Sequence, residues 1–338
     1  MSSHPVRAVV AVDKFRSTAE AADVAGAVAL GAPMSVVDVV AMSDGGEGFR
    51  RVFDGEVVML SVRGPWGEVH QAPLTLLAGP GRRGVLEVAE IVGRGHRAQP
   101  SPAEALAATS AGVADALVAA RELDLEEVVI GCGGSATSDG GWGCYEALSE
   151  RGGLPLRVSC ATDITARFLG ALRYAEQKGV ASEDLGPLEE RLRELATTYR
   201  ARGGVDVNGL ERAGAAGGIP GALGALGARL VGGFDVVAEV TGLAARLSVA
   251  THVVTGEGRV DTGSLEGKVV SGVCALTRPD QRVLVVCGAA EEHAVAQLRA
   301  RYPWVEVRDL VSAVGERRAL GDTLAALTEV SRDYFARI

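Results

Sequence analysis

Four glycine-rich loops in the chain carry the residue types that bind phosphate groups or transfer protons. The densest of them, residues 131–141, follows a predicted strand at 127–130 and mixes glycine with serine and threonine. Glycine lets successive backbone N–H groups point into one concavity, which is how an uncharged backbone binds phosphate. The N-terminus of the helix that follows would add the positive end of its dipole. This pattern predicts a phosphate-binding loop.

The same loop also fits a dinucleotide-binding fingerprint, because Gly131, Gly133 and Ala136 have the spacing G-x-G-x-x-[GA]. That fingerprint needs an acidic residue about 20 positions further on to bind a ribose hydroxyl. Asp163 comes late for this role, and no His or Tyr suited to acid–base chemistry lies beside it. A dinucleotide-dependent oxidoreductase stays as the alternative enzyme class.

The other three loops, at 43–48, 162–165 and 255–268, supply carboxylates that could bind a metal or accept a proton. The last of them resembles a Walker A loop, but only three residues separate Gly263 from Gly267. Val269 also replaces the Ser or Thr that would hold magnesium, so the chain is not a P-loop NTPase. The charged residues of these loops are Asp44, Glu47, Asp163, Glu257, Arg259, Asp261 and Lys268.

Lysine is rare in this chain, and arginine takes most of the basic positions. Lysine accounts for only three of the 34 basic residues, Lys14, Lys178 and Lys268. Each lysine is therefore a candidate for a position that needs a compact ammonium rather than a planar guanidinium. The five histidines share no metal-binding spacing and no G-x-S-x-G motif occurs, which disfavours a zinc site and a serine hydrolase.

The composition of the 338 residues indicates a globular protein, with 47% hydrophobic and 23% charged residues. A net charge of −9, without a run of Lys or Arg, disfavours nucleic acid and anionic membranes as partners. The sequence shows no run of 18 apolar residues and no signal peptide, and its five scattered cysteines indicate a reduced protein. We therefore expect a cytoplasmic protein that acts on small molecules; a homodimer is compatible with this expectation.

Strands alternate with helices at both ends of the chain, whereas residues 56–92 have the pattern of antiparallel strands. The first helix is expected to be capped by Ser17, and longer helices are predicted at 101–122 and 213–230. Ligands of open parallel sheets bind outside the carboxyl ends of the strands, where the glycine-rich loops lie. The expected domains are an α/β domain of residues 1–55 and 251–338, and an inserted mixed α/β domain of residues 56–250.

Taken together, these loops resemble the motifs of the bacterial glycerate kinases of the glycerate 2-kinase type. The family pattern G-x-G-G-S-A-T-N-D-G-G is matched at 131–141, with Ser138 in place of Asn. The pattern T-G-E-G-R-[IV]-D, followed by G-K, is matched at 255–261 and 267–268. The remaining matches lie at 13–18, 43–48, 162–164, 177–179 and 214–218, in the family's order along almost the whole chain.

The resemblance implies a kinase that transfers the γ-phosphate of ATP, with Mg²⁺, to a hydroxyl of D-glycerate, giving 2-phosphoglycerate, or to a closely related small hydroxy acid. It also implies a flavodoxin-like parallel-sheet domain with a second α/β domain inserted, and an active site in the cleft between the two domains. In the first loop, Lys14, Arg16 and Ser17 stand where the family usually has serine, lysine and glycine. A homologue that binds nucleotide but has lost catalysis is therefore a third alternative.

By this resemblance, Asp44 is expected to be the base that accepts the proton of the substrate hydroxyl. Lys268 would lie near the transferring phosphate as a point charge, and Asp261 completes the expected catalytic group. Arg16 would pair with the substrate carboxylate through two N–H groups, which a guanidinium does better than an ammonium. The other expected substrate-binding residues are Lys14, Gly45, Gly46 and Glu47.

Phosphoryl transfer depends on positioning and on neutralising charge, so the phosphates and the metal need fixed partners. The backbone N–H and hydroxyl groups of the loop at 131–141 are expected to bind the phosphates of ATP. The residues assigned to this task are Gly133, Gly134, Ser135, Ala136 and Thr137. Asp163, together with Glu257 or Asp261, is expected to hold Mg²⁺.

Overall fold

A computed structural model describes residues 7–15, 18–32, 36–79, 81–97, 99–265 and 267–337. The chain forms two compact units: unit 1 consists of Met1–Asp44 and Phe234–Ile338, and unit 2 is the continuous segment Gly45–Gly233. The chain passes from unit 1 to unit 2 after Asp44 and returns after Gly233, and both points come earlier than the expected boundaries after residues 55 and 250. Gly48 already donates a hydrogen bond to Glu87 of unit 2, which explains the first difference.

The chain contains eleven strands and fourteen α-helices within the described residues. The strands are β1 Arg7–Val12, β2 Val36–Ala41, β3 Gly55–Arg63, β4 Val69–Leu77, β5 Arg83–Glu87, β6 Glu127–Gly131, β7 Arg157–Thr162, β8 Arg229–Gly232, β9 His252–Val260, β10 Arg282–Ala290 and β11 Val305–Asp309. The helices are α1 Ala21–Gly31, α2 Val88–Val92, α3 Pro102–Ala107, α4 Ala111–Glu122, α5 Trp142–Ser149, α6 Leu185–Gly203, α7 Ile219–Ala225, α8 Gly233–Val240, α9 Leu243–Ser248, α10 Val269–Leu276, α11 Glu292–Arg301, α12 Leu310–Val314, α13 Glu316–Gly321 and α14 Thr323–Phe335.

Unit 1 is built on a five-stranded sheet in the order β2-β1-β9-β10-β11, and every neighbouring pair is parallel. Counted within the unit this is the order 2-1-3-4-5 of flavodoxin-like folds, so the predicted fold class is confirmed. Three of its strands, β1, β9 and β10, have nearly continuous buried runs that are rich in Val, as expected when helices cover both faces. The strand order reverses between β1 and β9, and ligands of such sheets bind at the carboxyl ends beside this point.

Unit 2 is built on a six-stranded sheet in the order β3-β4-β5-β6-β7-β8. The pairs β3–β4 and β4–β5 are antiparallel, whereas β5, β6, β7 and β8 run parallel. This mixed sheet confirms the predicted character of the inserted domain, including the antiparallel strands at 56–92. Because β5, β6 and β7 are parallel and in register, Glu87, Gly131 and Thr162 lie at the same edge.

Two predicted helices are shorter in the structure than the sequence pattern indicates. The segment 101–122 is broken into α3 and α4, because the amide of Thr109 bonds to Pro65 O and that of Ser110 bonds to Asp139. The segment 213–230 contains only α7, because Ala216 and Gly217 have positive φ angles that interrupt a helix. Its last residues instead form β8, which pairs with β7.

Among the described residues, one segment is long and apolar enough to be considered as a membrane span. It is Pro102–Glu122, with a mean hydropathy of 1.3, and 56% of it is buried inside the protein. The break between α3 and α4 lies within it. Its burial is typical of helices that pack in a protein core.

Candidate active site

Three of the predicted loops meet in unit 2, at the carboxyl ends of β5, β6 and β7. A Cβ on Gly133 would lie only 2.9 Å from Gly46 Cα, so glycine is required where these two loops cross. The space that a Cβ of Gly45 would occupy is filled by the backbone of Thr162. The structure therefore brings residues 45–48 together with the loops at 131–141 and 162–165. The meeting of the last two loops follows from their positions after neighbouring parallel strands, whereas residues 45–48 come after β2 of the other sheet.

The first of these loops is held by a carboxylate that the sequence analysis did not single out. Glu87 ends β5 with 2% of its surface exposed, and it accepts hydrogen bonds from Gly48 N at 2.7 Å and Arg50 N at 3.2 Å. Arg50 in turn forms a two-pronged ion pair with Glu90. Glu87 and Glu90 thus fix the loop that carries Glu47.

The backbone of the loop at 131–141 is anchored at its sides and open at its centre. Ala136 N donates to Val92 O, and Arg94 N donates to Gly134 O. Within the described residues, the structure gives no acceptor for the amides of Gly133, Gly134 or Thr137. Amides left without acceptors in a glycine-rich bend are available to an anionic ligand.

The helix after this loop, α5, does not offer its N-terminus to a ligand, and here the sequence-based expectation was wrong. Asp139, which is 3% exposed, accepts hydrogen bonds from Gly141 N at 3.0 Å and Gly143 N at 3.1 Å. The next amide, of Cys144, donates to Ser110 Oγ. The positive end of the helix is therefore already neutralised by a buried carboxylate of the chain.

A buried lysine supplies positive charge to the loop instead. Lys178 Nζ donates to Ser135 Oγ at 3.0 Å and to Thr137 O at 2.7 Å, and the residue is 7% exposed. Two hydroxyl oxygens beside it, Thr137 Oγ1 and Ser138 Oγ, are buried without a partner among the described residues. Two sequence signals pointed to Lys178: the rarity of lysine in this chain and the family motif matched at 177–179.

The turn at 214–218 presses against the same loop. Gly217 has a φ of +73°, and a Cβ there would lie 2.0 Å from Thr137 O and 3.1 Å from Lys178 Nζ. Gly140 N also donates to Gly217 O at 3.0 Å. The glycines of this turn therefore allow it to support the loop from behind.

We expect Gly217→Ala to lower the free energy of unfolding by about 2–5 kcal/mol, because left-handed strain and overlap with Thr137 add up. Gly204 is a matched control, since its φ is +71° and nothing lies within 4 Å of a Cβ there. Gly204→Ala should cost only about 1–2 kcal/mol. Urea unfolding followed by tryptophan fluorescence measures both values. Equal losses would show that the turn does not press on the loop.

In unit 1, three carboxylates lie at the carboxyl ends of β1, β2 and β9. Asp13 follows β1, Asp44 follows β2, and Glu257 lies within β9, beside the point where the strand order reverses. The predicted loop at 255–261 is a strand as far as Val260, so Glu257 is held by the sheet itself. Asp13 N donates to Gly256 O at 2.9 Å, which ties the first of these acids to the same strand.

The three carboxylates repel one another, and burial adds to the effect. Burial raises the pKa of Asp13 well above its ordinary value, and the charges of Asp44 and Glu257 add to the rise. Burial, with the charges of Asp44 and Asp261, likewise raises the pKa of Glu257 to about 7. Glu257 Oε1 is buried without a hydrogen-bond partner among the described residues. The cluster is therefore suited to hold a proton or to attract a cation.

Lys268 and Asp261 complete this cluster. Lys268 Nζ lies 4.0 Å from Asp44 Oδ2, and its residue precedes α10. Asp261 Oδ1 accepts from Ser264 N at 3.2 Å, while Asp261 N donates to Ser264 Oγ at 3.0 Å. Asp261 thus caps the turn at 262–265, and its negative charge contributes to the raised pKa of Glu257.

The two residues that were expected to hold Mg²⁺ lie in different units. Asp163 follows β7 in unit 2, and Glu257 lies in unit 1. Within the part of the chain that the structure describes, no group of three or more His, Cys, Asp or Glu side chains is arranged to hold a metal ion. The buried, unpartnered oxygen of Glu257 between like charges nevertheless fits a cation.

Two predicted residues, Arg16 and Ser17, lie outside the described residues. Their neighbour Lys14 is described, and its amide donates to Asp13 Oδ1 at 2.7 Å. The charge of Lys14 also lowers the pKa of Asp13, against the larger effects of burial and of Asp44. Lys14 therefore belongs to the cluster of unit 1.

The dinucleotide-binding alternative finds no support in this geometry. A fingerprint of that kind leads directly from its glycines into a helix, whose N-terminus binds the pyrophosphate. Here α5 begins only at Trp142, well after Ala136, and Asp139 fills its N-terminus. The loop is therefore built differently from a dinucleotide-binding turn.

Comparison with known proteins identifies one family along nearly the whole chain. A sequence model described as the glycerate kinase family matches residues 8–152 and 154–333. The chain is 31% identical to the glycerate 2-kinase of Escherichia coli over 320 residues, which cover 81% of this chain and 82% of that protein. It is 34% identical to an uncharacterized protein of Mycobacterium bovis, over 98% of this chain and 92% of the relative.

A solved structure gives the same result for the fold. The crystal structure of a protein from Salmonella typhimurium, provisionally named glycerate kinase 2, aligns with a TM-score of 0.78. The alignment covers 99% of this chain and 98% of the other, at 26% sequence identity. The likeness therefore extends over both units and is not restricted to shared motifs.

Proposed function

Because this chain belongs to the glycerate kinase family and is a kinase that acts on an alcohol group, we propose that it transfers the γ-phosphate of ATP to D-glycerate. The proposed product is 2-phosphoglycerate, and the reaction takes place in the cytoplasm with Mg²⁺. The observation that carries this proposal is the pair Asp44–Lys268, a carboxylate and an ammonium 4.0 Å apart at the ligand-binding edge of a flavodoxin-like sheet.

Asp44 is proposed as the general base. It would accept the proton of the glycerate hydroxyl while the hydroxyl oxygen forms its bond to the γ-phosphorus and ADP leaves with the broken P–O bond electrons. Lys268, beside Asp44, would neutralise the negative charge that develops on the transferring phosphoryl group. The raised pKa of Asp13 lowers the negative charge near the incoming phosphate.

The phosphates of ATP are proposed to bind to the loop at 131–141 in unit 2. The amides of Gly133, Gly134 and Thr137, which have no acceptor among the described residues, would donate to phosphate oxygens, and the hydroxyl of Ser135 is held in place by Lys178. Ala136 would take part through its position only, since its amide already donates to Val92 O. Backbone donors of this kind need no rearrangement during the reaction.

Mg²⁺ would neutralise the phosphate oxygens when it is bound. Glu257 is the best-supported protein ligand, because its Oε1 is buried without a partner among the described residues. Asp163 is the second proposed ligand, on the side of the phosphate loop in unit 2. Magnesium in kinases usually takes only one or two carboxylates, and phosphates and water supply the rest.

The acceptor is proposed to bind to the two loops next to Asp44. Arg16 and Lys14 would neutralise its carboxylate, and the backbone of Gly45 and Gly46, with the Glu47 side chain, would bind its hydroxyl groups. The covalent link between Asp44 and Gly45 keeps the proposed base beside these donors. A small hydroxy acid offers the one carboxylate and the hydroxyls that this set of residues needs.

The purified protein incubated with ATP, MgCl₂ and D-glycerate should release ADP and form 2-phosphoglycerate, and EDTA should abolish both. Omission of glycerate is the control for ATP hydrolysis. Binding of ATP without turnover would instead identify a nucleotide-binding homologue that has lost catalysis. Turnover with another hydroxy acid but not with glycerate would revise the acceptor and leave the phosphotransfer standing.

A further inference from the structure

Lys178 is a buried lysine with no direct counter-ion among the described residues. Its Nζ contacts only neutral oxygens, Ser135 Oγ and Thr137 O, and no carboxylate lies within ion-pair distance among the described residues. The charged groups that act on it from a longer range are Asp139, ahead of α5, and Arg94, in the turn after α2. These two have opposite signs, so they offset each other in part.

The carboxylate that could have neutralised Lys178 is used elsewhere. Asp139 accepts two amide hydrogen bonds from the start of α5 and two further ones from Ser110 N and Oγ. Its negative charge therefore interacts with the positive end of the helix and with these hydrogen-bond donors. The loop at 131–141 therefore has the Lys178 amine against Ser135 and Thr137, and amides for which the described residues give no acceptor.

We propose that Lys178 is a positioning residue whose ammonium holds Ser135 and Thr137 in the phosphate-binding conformation, and that the loop takes up a proton on Lys178 when a phosphate group binds. This inference rests on the proposed binding of ATP phosphates to the loop. It gives the site a built-in link between nucleotide affinity and proton concentration. The ligand class is a nucleoside diphosphate or triphosphate.

The direction of this link follows from the state of Lys178 without ligand. Burial lowers the pKa of Lys178 from 10.5 to about 7, so at pH 8 most of the free protein carries a neutral amine. A phosphate in contact with the loop favours the charged form and raises that pKa. Binding therefore takes up protons above pH 7, and affinity falls as pH rises through this range, whereas below pH 6 both states are protonated.

Isothermal titration calorimetry of the protein with ADP, in the presence of MgCl₂ at pH 8 and in two buffers with different ionisation enthalpies, measures the proton uptake directly. The wild-type protein should take up about 0.5–1 proton more per ADP than Lys178→Met does, since the ionisation of ADP itself is common to both. Its affinity should fall about tenfold from pH 7 to pH 8.5, whereas that of Lys178→Met should change much less. Arg173→Met, which removes an exposed charge five residues away, should behave like the wild type.

Lys178→Arg is the second variant, because it keeps a charge that does not titrate in this range. It should bind ADP without the extra proton uptake, and it decides the matter if Lys178→Met does not fold. Equal proton uptake in the wild type and in a folded variant overturns this inference and leaves the kinase proposal intact. Failure of the wild type to bind nucleotide at all overturns both.

Discussion

Replacing Asp44 with asparagine should lower kcat for phosphate transfer to glycerate by about 10²–10⁴-fold, the usual contribution of a positioned base. Asparagine keeps the size of the side chain, but it cannot accept the proton of the acceptor hydroxyl. The affinity for nucleotide should remain near that of the wild type, because the phosphate-binding loop belongs to unit 2 and Asp44 ends unit 1. Steady-state kinetics and ADP titration measure the two effects separately.

Asp309→Asn is the matched control for Asp44→Asn. Asp309 ends β11 of the same sheet, and its side chain accepts from Ser312 N at 2.8 Å as the cap of α12. Asparagine caps a helix about as well as aspartate, so both stability and kcat should stay close to wild type. If Asp44→Asn retains full activity, Asp44 is not the base and the buried Asp13 is the next residue to test.

The second large effect is expected from Lys268→Met, which should lower kcat by about 10²–10³-fold. An ammonium that meets the transferring phosphoryl group acts most strongly on the transition state, so KM for glycerate should change little. Because Lys268 Nζ lies 4.0 Å from Asp44 Oδ2, the two substitutions should not be additive. The kcat and KM values of both single variants and the double variant measure this coupling.

Arg259→Met is the control for the loss of one positive charge from the same segment. Arg259 is exposed near the end of β9, and its ion-pair partner at 2.8 Å is Glu291, which lies outside the carboxylate cluster. Its kcat should stay near the wild-type value. An effect of Lys268→Met that is confined to KM for glycerate would move Lys268 into the substrate pocket.

The arrangement of the loops could be predicted from the sequence because it follows from strand order. A loop after a buried parallel strand lies at the carboxyl edge of the sheet, so Asp13 and Asp44 had to come close once their strands paired. The same reasoning brings the loop at 131–141 to the loop at 162–165. The glycines at 133 and 45 then mark where two backbones cross.

The sequence could not reveal which charges neutralise one another across long distances. Lys178 meets Ser135 over 43 positions, and no spacing rule predicts such a contact. Asp139 stood in a loop with a phosphate-binding pattern, yet it fills the helix end that a phosphate was expected to use. The sequence did not reveal the break at 216–217, because the many alanines and glycines around it are compatible with a helix. In the structure, however, Ala216 and Gly217 have positive φ angles that a helix does not allow.

The order in which the chain is synthesised differs from the order in which its sheets can be completed. Unit 2 is one continuous segment, so its six strands can pair as soon as residue 233 has left the ribosome. The sheet of unit 1 must wait, because β1 pairs with β9 and Arg7 bonds to Thr251, 244 positions later. Closing so long a loop is slow, and it is favoured when the intervening residues have already folded into a compact body. The segment β1-α1-β2 can pair within itself early, but β1 must wait for β9. Until then β1 exposes an unpaired, Val-rich strand edge to chaperones and to other nascent chains.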